Sequence, residues 1–188
     1  MTLIKSISGI RGTIGGKVGD NLTPIDAVKF AAAYGTWLKN NNPNVSKLKV
    51  VVGRDARISG PMVHNLVINT LIGLGIDIID LGLSTTPTVE VAVPLENANG
   101  GIILTASHNP KQWNALKLLN EKGEFLNGIE GEKILVIAES DAFDFSDVDN
   151  LGEITPNDAY MDIHIDEVLN LPLVDIEAVK AAKFKVVV

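Results

Sequence analysis

Three apolar runs alternate with segments of helical periodicity through the first hundred residues. The runs "KLKVVVGRD" (47–55), "IDIIDLG" (76–82) and "GGIILTAS" (100–107) are nearly continuous, which is typical of strands buried on both faces. The segments before and between them repeat apolar residues at helical spacing and cover residues 23–39, 59–75 and 86–98. This alternation predicts a three-layer α/β domain in which helices cover both faces of a mostly parallel sheet.

The predicted helices carry local start and stop signals. Thr23 is a suitable N-cap residue, Pro24 fits the first helical position, and Asp26 stands where a capping-box acid belongs. Gly75 fits the end of the second helix. Because a proline inside a helix removes a hydrogen bond, Pro94 predicts a shortened or distorted third helix.

The pattern changes beyond Gly123. Residues 115–126 predict a short hairpin, and residues 128–139 predict another helix. Residues 140–155 are acidic and turn-rich, so we interpret them as a linker.

The last part of the chain predicts two more helices and a strand. Thr155 before Pro156 predicts the start of a helix over 155–171, residues 175–183 predict a shorter helix, and "FKVVV" (184–188) predicts a strand. A single apolar strand has no partner after it, so we expect this sequence to be a piece of a longer protein. The predicted organisation is a first domain over 1–139, an acidic linker over 140–155, and the start of a truncated second α/β domain over 156–188.

Composition narrows the function classes. The chain has 188 residues, of which 46% are apolar, and it contains no cysteine, which excludes disulfides, thiolate metal sites and cysteine nucleophiles. Its 16 Lys and Arg against 23 Asp and Glu give a net charge of −7, which argues against nucleic-acid binding. No apolar stretch reaches membrane-spanning length, so we expect a cytoplasmic protein without a membrane partner.

Two polar clusters follow predicted strands. Functional loops of parallel sheets lie at the carboxyl ends of the strands, so both clusters are expected on one rim of the sheet. Arginine side chains suit phosphate or carboxylate groups, but an Arg–Asp ion pair that braces the loop is an equal alternative. The clusters consist of Arg54, Asp55 and Arg57 after one strand, and Ser107, His108 and Asn109 after the other.

Other chemistries receive less support. A Ser-His-Asp hydrolase is disfavoured because adjacent residues on an extended segment point apart and the GxSxG motif is missing. The glycine-rich stretch 8–20 fits neither common phosphate-loop motif, and a surface hairpin is the simpler interpretation. The acidic run "DFSDVD" (144–149) is interpreted as solvated linker rather than a metal loop, and His64 and His164 as packing or surface residues.

An ordered set of motifs indicates a family. "GIRGT" (9–13), "GRDARISG" (53–60) and "TASHNP" (105–110), followed by "WNALK" (113–117), together resemble the α-D-phosphohexomutases. That family includes phosphoglucomutase, phosphomannomutase and phosphoglucosamine mutase. One departure is Ala115, which stands where the family usually has glycine; a glycine there would give the backbone freedom for a turn, and alanine disfavours that turn.

The resemblance implies roles for individual residues. Ser107 would bear a phosphoryl group, and His108 beside it would contact phosphate or substrate. Arg11 and Lys117 would lie near the reacting oxygens, with Lys117 as a candidate general acid/base. The remaining candidates would bind substrate phosphate or brace the loop, namely Asn109, Asn114, Arg54, Asp55 and Arg57.

The resemblance also implies a reaction. Phosphoserine would give its phosphoryl group to a hexose phosphate, and the resulting sugar bisphosphate would turn around and return its other phosphoryl group. Mg²⁺ would bridge the phosphate on Ser107 and three aspartates of the family's second domain, so this chain would be inactive without the remaining domains. Two alternatives stay open: a non-catalytic α/β domain that binds phosphosugars or anions, and, ranked last, a nucleotide-binding Rossmann domain.

Overall fold

A computed structural model describes residues 1–6 and 9–187. Ser8 and Val188, the first residue of the glycine-rich stretch and the last of the predicted terminal strand, lie outside the described residues. The described part contains a seven-stranded sheet with the spatial order β1-β2-β6-β5-β3-β4-β7. The strands are β1 (Ile4–Ser6), β2 (Gly9–Thr13), β3 (Lys49–Arg54), β4 (Asp77–Leu83), β5 (Gly100–Leu104), β6 (Trp113–Leu119) and β7 (Ile154–Pro156).

Five of these seven strands run in one direction. Strands β5, β3, β4 and β7 pair in parallel. Strand β6 is antiparallel to both β5 and β2, and β1 is antiparallel to β2, so β2 points the same way as the parallel four. The predicted α/β class with a mostly parallel sheet is therefore confirmed.

Helices cover both faces of the sheet. Alternate residues of β3 point to opposite faces, so Val50 and Val52 belong to one core and Val51 belongs to the other. The first core includes residues of α1, α2 and α4, and the second includes residues of α3 and α5. The helices are α1 (Pro24–Asn41), α2 (Gly60–Gly73), α3 (Thr86–Leu95), α4 (Gly128–Ser140), α5 (Tyr160–Leu169) and α6 (Ile176–Ala182).

The local signals at the helix ends act as expected. Thr23 and Asp26 form a reciprocal capping box at the start of α1. Gly75 follows α2 with φ of +80°, and a Cβ at that position would contact Ser146 and Asn150 closely. Helix α3 ends at Leu95, directly after Pro94, as the proline predicts.

The predicted hairpin over residues 115–126 is confirmed only as a short return at the end of a longer strand. Leu119 and Phe125 form an antiparallel bridge, and the Leu126 amide donates to the Leu118 carbonyl at 3.2 Å. The prediction missed that β6 itself fills the gap between β2 and β5. The reason is burial: Leu116, Leu118 and Leu119 are each less than 4% exposed, and only the middle of a sheet covers both faces of such a strand.

The predicted helix start at residue 155 is also wrong. Residues Ile154–Pro156 form β7, which pairs with Ile78, Ile79 and Asp80 of β4, and α5 begins only at Tyr160. The residue before a proline is biased toward extended backbone, and the edge of β4 offers it partners. Among the described residues 184–187 no strand is assigned, in contrast to the predicted terminal strand.

The segment from β7 through α5 packs against the rest of the fold. The Tyr160 hydroxyl donates a hydrogen bond to Glu96 Oε1 at 2.7 Å, and α5 lies against α3. The domain limits at 139 and 155 stay predictions, with the added observation that residues 154–169 contact the first domain. Within the described ranges 1–6 and 9–187, no helix is both long and apolar enough to cross a membrane.

Candidate active-site cleft

The two polar clusters follow neighbouring parallel strands, as predicted. Arg54 at the end of β3 is in register with Leu104 at the end of β5, and the Asp55 amide donates to the Leu104 carbonyl at 3.1 Å. The loops that follow both strands therefore begin at the same edge of the sheet.

A cleft of about 230 Å³ opens where the loop after β5 meets β2 and β6. In the sheet, Arg11 of β2 is directly opposite Ala115 of β6, and Lys117 follows two residues later on the same face. The small Ala115 side chain between these two cations leaves space for the cleft. The predicted residues that line it are Arg11, Ser107, His108, Asn109 and Lys117.

Ser107 has an unusual backbone conformation. Its φ is +53°, in the left-handed region that residues with a Cβ rarely adopt. The side chain is exposed at the cleft while the preceding residues Thr105 and Ala106 are buried. Strained residues of this kind cluster at functional sites, where the surrounding structure holds them in place. No sequence signal indicated this conformation, because serine is not a residue that favours positive φ.

Asn109 stabilises the loop that carries Ser107. Its backbone amide and its side-chain Nδ2 both donate to the Ala106 carbonyl, at 3.0 and 2.8 Å. This double contact closes a tight turn around Ser107 and His108. Asn109 thus lines the cleft and braces the loop at the same time.

His108 makes only a long contact with its neighbour. Its Nδ1 lies 3.5 Å from Ser107 Oγ, at the outer limit of hydrogen bonding. The distance agrees with the geometric argument against a hydrolase, in which the histidine must take the serine proton. His108 is exposed at the cleft, where its ring is free to contact a bound anion.

Arg57 is fully engaged by the protein. Its Nε donates to Asp55 Oδ2 at 3.1 Å, and its two terminal nitrogens donate to four backbone carbonyls. These bonds use all five guanidinium N–H donors, and the side chain is only 11% exposed. Of the two alternatives for this arginine, the geometry therefore favours loop bracing over phosphate binding. The four carbonyls belong to Ser107, Asn109, Pro110 and Trp113.

Two further predicted residues lie away from the cleft. Arg54 donates from Nη1 to the Asp55 carbonyl at 3.2 Å and does not line the cleft. Asn114 is fully buried in β6 and donates to Ser59 Oγ at 2.9 Å, so it connects the sheet to the start of α2. Neither side chain is placed to contact a ligand in this cleft.

Ala115 resolves the departure from the family motif. It lies inside β6 and is not among the residues with positive φ, so no glycine is needed there for backbone freedom. The expected turn is instead a regular strand, and alanine fits it.

Phe125 is a cleft residue that the sequence analysis missed. The residue is 40% exposed, and Lys117 Nζ lies 5.5 Å from the ring centre, within cation–π range. Lys117 also influences the pKa of Glu90 in α3. Burial raises the pKa of that carboxyl, and the positive charge of Lys117 partly offsets the rise. The signal available in the sequence was weak, since Phe125 was taken only as part of a hairpin.

The charge of the cleft favours an anion. Arg11 and Lys117 line it, and none of the described residues that line it is an aspartate or glutamate. Fixed cations near the position of a phosphoryl group stabilise the charge that spreads over its oxygens during transfer.

The described residues do not form a magnesium site by themselves. They contain no group of three His, Asp or Glu side chains that could share a metal ion. The Asp55 carboxylate accepts bonds from Arg57 and from Thr105, and Ser107 contributes one oxygen, whereas Mg²⁺ prefers six oxygen ligands. The oxygens that these described residues offer are therefore too few for the ion.

The fold and the cleft together define an α/β domain with a strained serine in a cationic pocket. Residues 3–144 match the family model described as phosphoglucomutase/phosphomannomutase, alpha/beta/alpha domain I. The chain belongs to the phosphoglucomutase/phosphomannomutase family.

Individual relatives agree with this assignment. The chain is 36% identical over 182 residues to a phosphoglucomutase/phosphomannomutase of Thermococcus kodakarensis, covering 94% of this chain and 38% of the relative. It is 37% identical over 149 residues to a phosphoglucosamine mutase of Fusobacterium nucleatum, covering 79% of this chain and 30% of the relative. The chain thus spans about a third of the length of these curated relatives.

A solved structure shows the same fold. A phosphoglucomutase/phosphomannomutase family protein of Burkholderia thailandensis superposes with a TM-score of 0.69 at 23% identity, over 88% of this chain and 36% of that one. At this identity the likeness concerns the fold.

Proposed function

We propose that these residues form the phosphoserine-bearing part of a phosphohexomutase, which interconverts the 1-phosphate and 6-phosphate of a hexose. The observation that carries the proposal is Ser107, a strained and exposed serine whose cleft is lined by Arg11 and Lys117. The named relatives that act as mutases support the same reaction class.

In the proposed first step, phosphorylated Ser107 transfers its phosphoryl group to a free hydroxyl of a sugar monophosphate. The bond between Ser107 Oγ and phosphorus breaks, and a bond from the sugar oxygen to phosphorus forms. In the second step the sugar bisphosphate turns around in the cleft, and its other phosphoryl group returns to Ser107 Oγ.

The cleft residues have distinct proposed roles. Arg11 keeps its charge and offers a planar set of donors to the non-bridging phosphate oxygens. Lys117 Nζ gives a proton to Ser107 Oγ when the phosphoryl group leaves, and it takes up the proton that the attacking sugar hydroxyl releases. Both proton transfers run in the opposite direction when the phosphoryl group returns to Ser107. Phe125 holds the Lys117 ammonium at the cleft surface.

Mg²⁺, the proposed cofactor, would contact this chain through the phosphate on Ser107 and would neutralise part of its charge. Its other ligands would come from residues outside the described set. The proposed partners of the chain are therefore a hexose phosphate, a sugar bisphosphate and further domains of the full-length enzyme.

The test is to label the serine. Full-length protein carrying these residues is incubated with radiolabelled glucose 1,6-bisphosphate, digested and mapped, and mutase activity is measured with glucose, mannose and glucosamine phosphates. Label is expected on Ser107 and is expected to be lost in Ser107→Ala, while Ser46→Ala, an exposed serine outside the cleft, keeps it.

Two outcomes would contradict the proposal. Label on another residue, or full activity in Ser107→Ala, would remove Ser107 from the reaction. Binding of phosphosugars without any covalent label would favour the non-catalytic alternative.

A further inference from the structure

A closed ring of hydrogen bonds joins the two ends of the Ser107 backbone. The Ser107 amide donates to Thr105 Oγ1 at 3.0 Å, and the Thr105 hydroxyl donates to Asp55 Oδ2 at 2.6 Å. The same carboxylate oxygen accepts from Arg57 Nε at 3.1 Å, and Arg57 Nη2 donates to the Ser107 carbonyl at 2.7 Å. Three side chains thus connect the N–H of Ser107 to its own carbonyl.

The ring is anchored so that it cannot easily rearrange. The Asp55 side chain also accepts from the Arg57 amide at 3.0 Å, and Thr105 is only 7% exposed. The other Arg57 donors hold the carbonyls of Asn109, Pro110 and Trp113. Because the guanidinium is planar and each N–H has a fixed direction, these contacts fix the ring geometry in a way that a lysine ammonium would not.

The ring leaves the reactive atom outside. It engages the amide and the carbonyl of Ser107, while the side chain of Ser107 is exposed at the cleft. A residue with a Cβ in the left-handed region persists only when its surroundings over-determine that conformation. The ring supplies that constraint and leaves the Ser107 hydroxyl accessible from the cleft.

We propose that Thr105, Asp55 and Arg57 are positioning residues, which hold Ser107 in the left-handed conformation so that its hydroxyl faces Arg11 and Lys117. Thr105 in particular acts through its hydroxyl, which relays the Ser107 amide to the carboxylate. The inference deepens the proposed function and rests on it for its catalytic consequence. Its structural part is testable without any reaction.

The first experiment measures amide hydrogen exchange in the 188-residue chain. Thr105→Val removes the hydroxyl and breaks the ring, whereas Thr105→Ser retains it. In Thr105→Val, exchange at the Ser107 amide is expected to rise roughly fivefold to tenfold relative to wild type, because one hydrogen bond is lost. Amides of β5 and α1 are expected to keep their relative protection, and Thr105→Ser is expected to restore the wild-type rate.

A matched control separates this effect from general loss of stability. Thr88 is also a buried threonine, 1% exposed, and its hydroxyl contacts Thr85 and His164 in another part of the fold. Thr88→Val is expected to lower stability without a selective rise in exchange at Ser107. A rise in Thr88→Val as large as that in Thr105→Val, or no rise in Thr105→Val, would overturn the ring.

The second experiment measures steady-state mutase turnover, together with the rate of Ser107 labelling by glucose 1,6-bisphosphate, in the full-length protein. Thr105→Val and Arg57→Lys are each expected to lower kcat on the order of tenfold to a hundredfold through misplacement of the hydroxyl, with KM nearly unchanged. The double variant is expected to lose little more than either single one, because both break the same ring. Wild-type rates in Thr105→Val would refute the positioning role.

The two kinds of failure are distinguishable. If the wild-type protein takes no label on Ser107, the proposed function fails, and the exchange experiment still decides whether the ring holds the loop. If the wild-type protein is labelled but neither the exchange nor the rate responds to Thr105→Val, only the ring is refuted.

Discussion

The backbone of Ser107 makes a stability prediction that is independent of catalysis. In the left-handed region, a residue with a Cβ destabilises the folded state by roughly 1–2 kcal/mol relative to glycine. Ser107→Ala retains the Cβ and the strain, and it gives up only the 3.5 Å contact with His108, so its stability is expected to change by less than about 0.5 kcal/mol. Ser107→Gly removes the strain.

The net magnitude follows from two opposing effects. Glycine recovers the strain but costs about 0.5–1 kcal/mol in backbone entropy of the unfolded chain. The glycine variant is therefore expected to be about 0.5–1 kcal/mol more stable than the alanine variant. For a chain of this size that corresponds to a Tm about 1–4 °C higher.

The assay is thermal unfolding of the 188-residue chain, with urea titration as a second measurement of the same difference. Ser46 provides the control, because it is exposed and is not among the described non-glycine residues with positive φ, namely Asn97, Ser107, Asp141 and Lys183. At position 46 the order should reverse, with glycine less stable than alanine. A glycine variant at 107 that is no more stable than the alanine variant would show that Ser107 is unstrained, and the argument from conformation to function would fail.

Three further predictions concern catalysis, pH and the metal. Lys117→Met in the full-length protein is expected to lower turnover on the order of a hundredfold, measured by steady-state kinetics, and to cost at most about 1 kcal/mol of stability, measured by thermal unfolding. A large fall in Tm with normal turnover of the folded fraction would show that Lys117 has a structural role. Burial alone would raise the pKa of Asp80, but hydrogen bonds from His64 and the Gly82 amide outweigh that effect and leave the pKa below its usual value. The stability that this carboxylate contributes above its unfolded pKa of about 3.9 should therefore be lost as the pH falls further. Acid unfolding of wild type and Asp80→Asn checks this sign, and an equally steep loss in the variant below about pH 4 would contradict it. The 188-residue chain alone is expected to show background turnover and no tight Mg²⁺ site by calorimetry, since the described cleft offers the ion too few oxygens; turnover above background would mean that the site is complete within these residues.

The features that the sequence predicted well are those with local causes. The capping box of Thr23 and Asp26 and the helix end at Gly75 involve residues close together in the chain, so they are visible in a short window. The common edge for Arg54 and Ser107 followed from a general rule of parallel sheets.

The features that were missed depend on distant partners. Strand β6 is a central strand because it pairs with both β2 and β5. Pro156 is extended because its segment pairs with the edge of β4. The guanidinium N–H groups of Arg57 all find acceptors because carbonyls about fifty residues away in the chain lie beside them. The conformation of Ser107 arises from that network, and no property of serine indicates it.

The position of β6 between β2 and β5 has a consequence for the order in which the cleft is assembled during synthesis. Arg11 pairs with Ala115, and about a hundred residues separate them in the chain. At translation rates of roughly 5–20 residues per second, β2 leaves the ribosome some 5–20 seconds before the strand that it must join. Arg11 remains without its β6 partner during that interval, whereas Ser107 and Lys117 emerge only ten residues apart. The cationic cleft is therefore completed after the serine loop has already been synthesised. Limited proteolysis of ribosome-arrested chains should find the segment around β2 accessible until β6 has emerged, and early protection there would show that β2 finds another partner first.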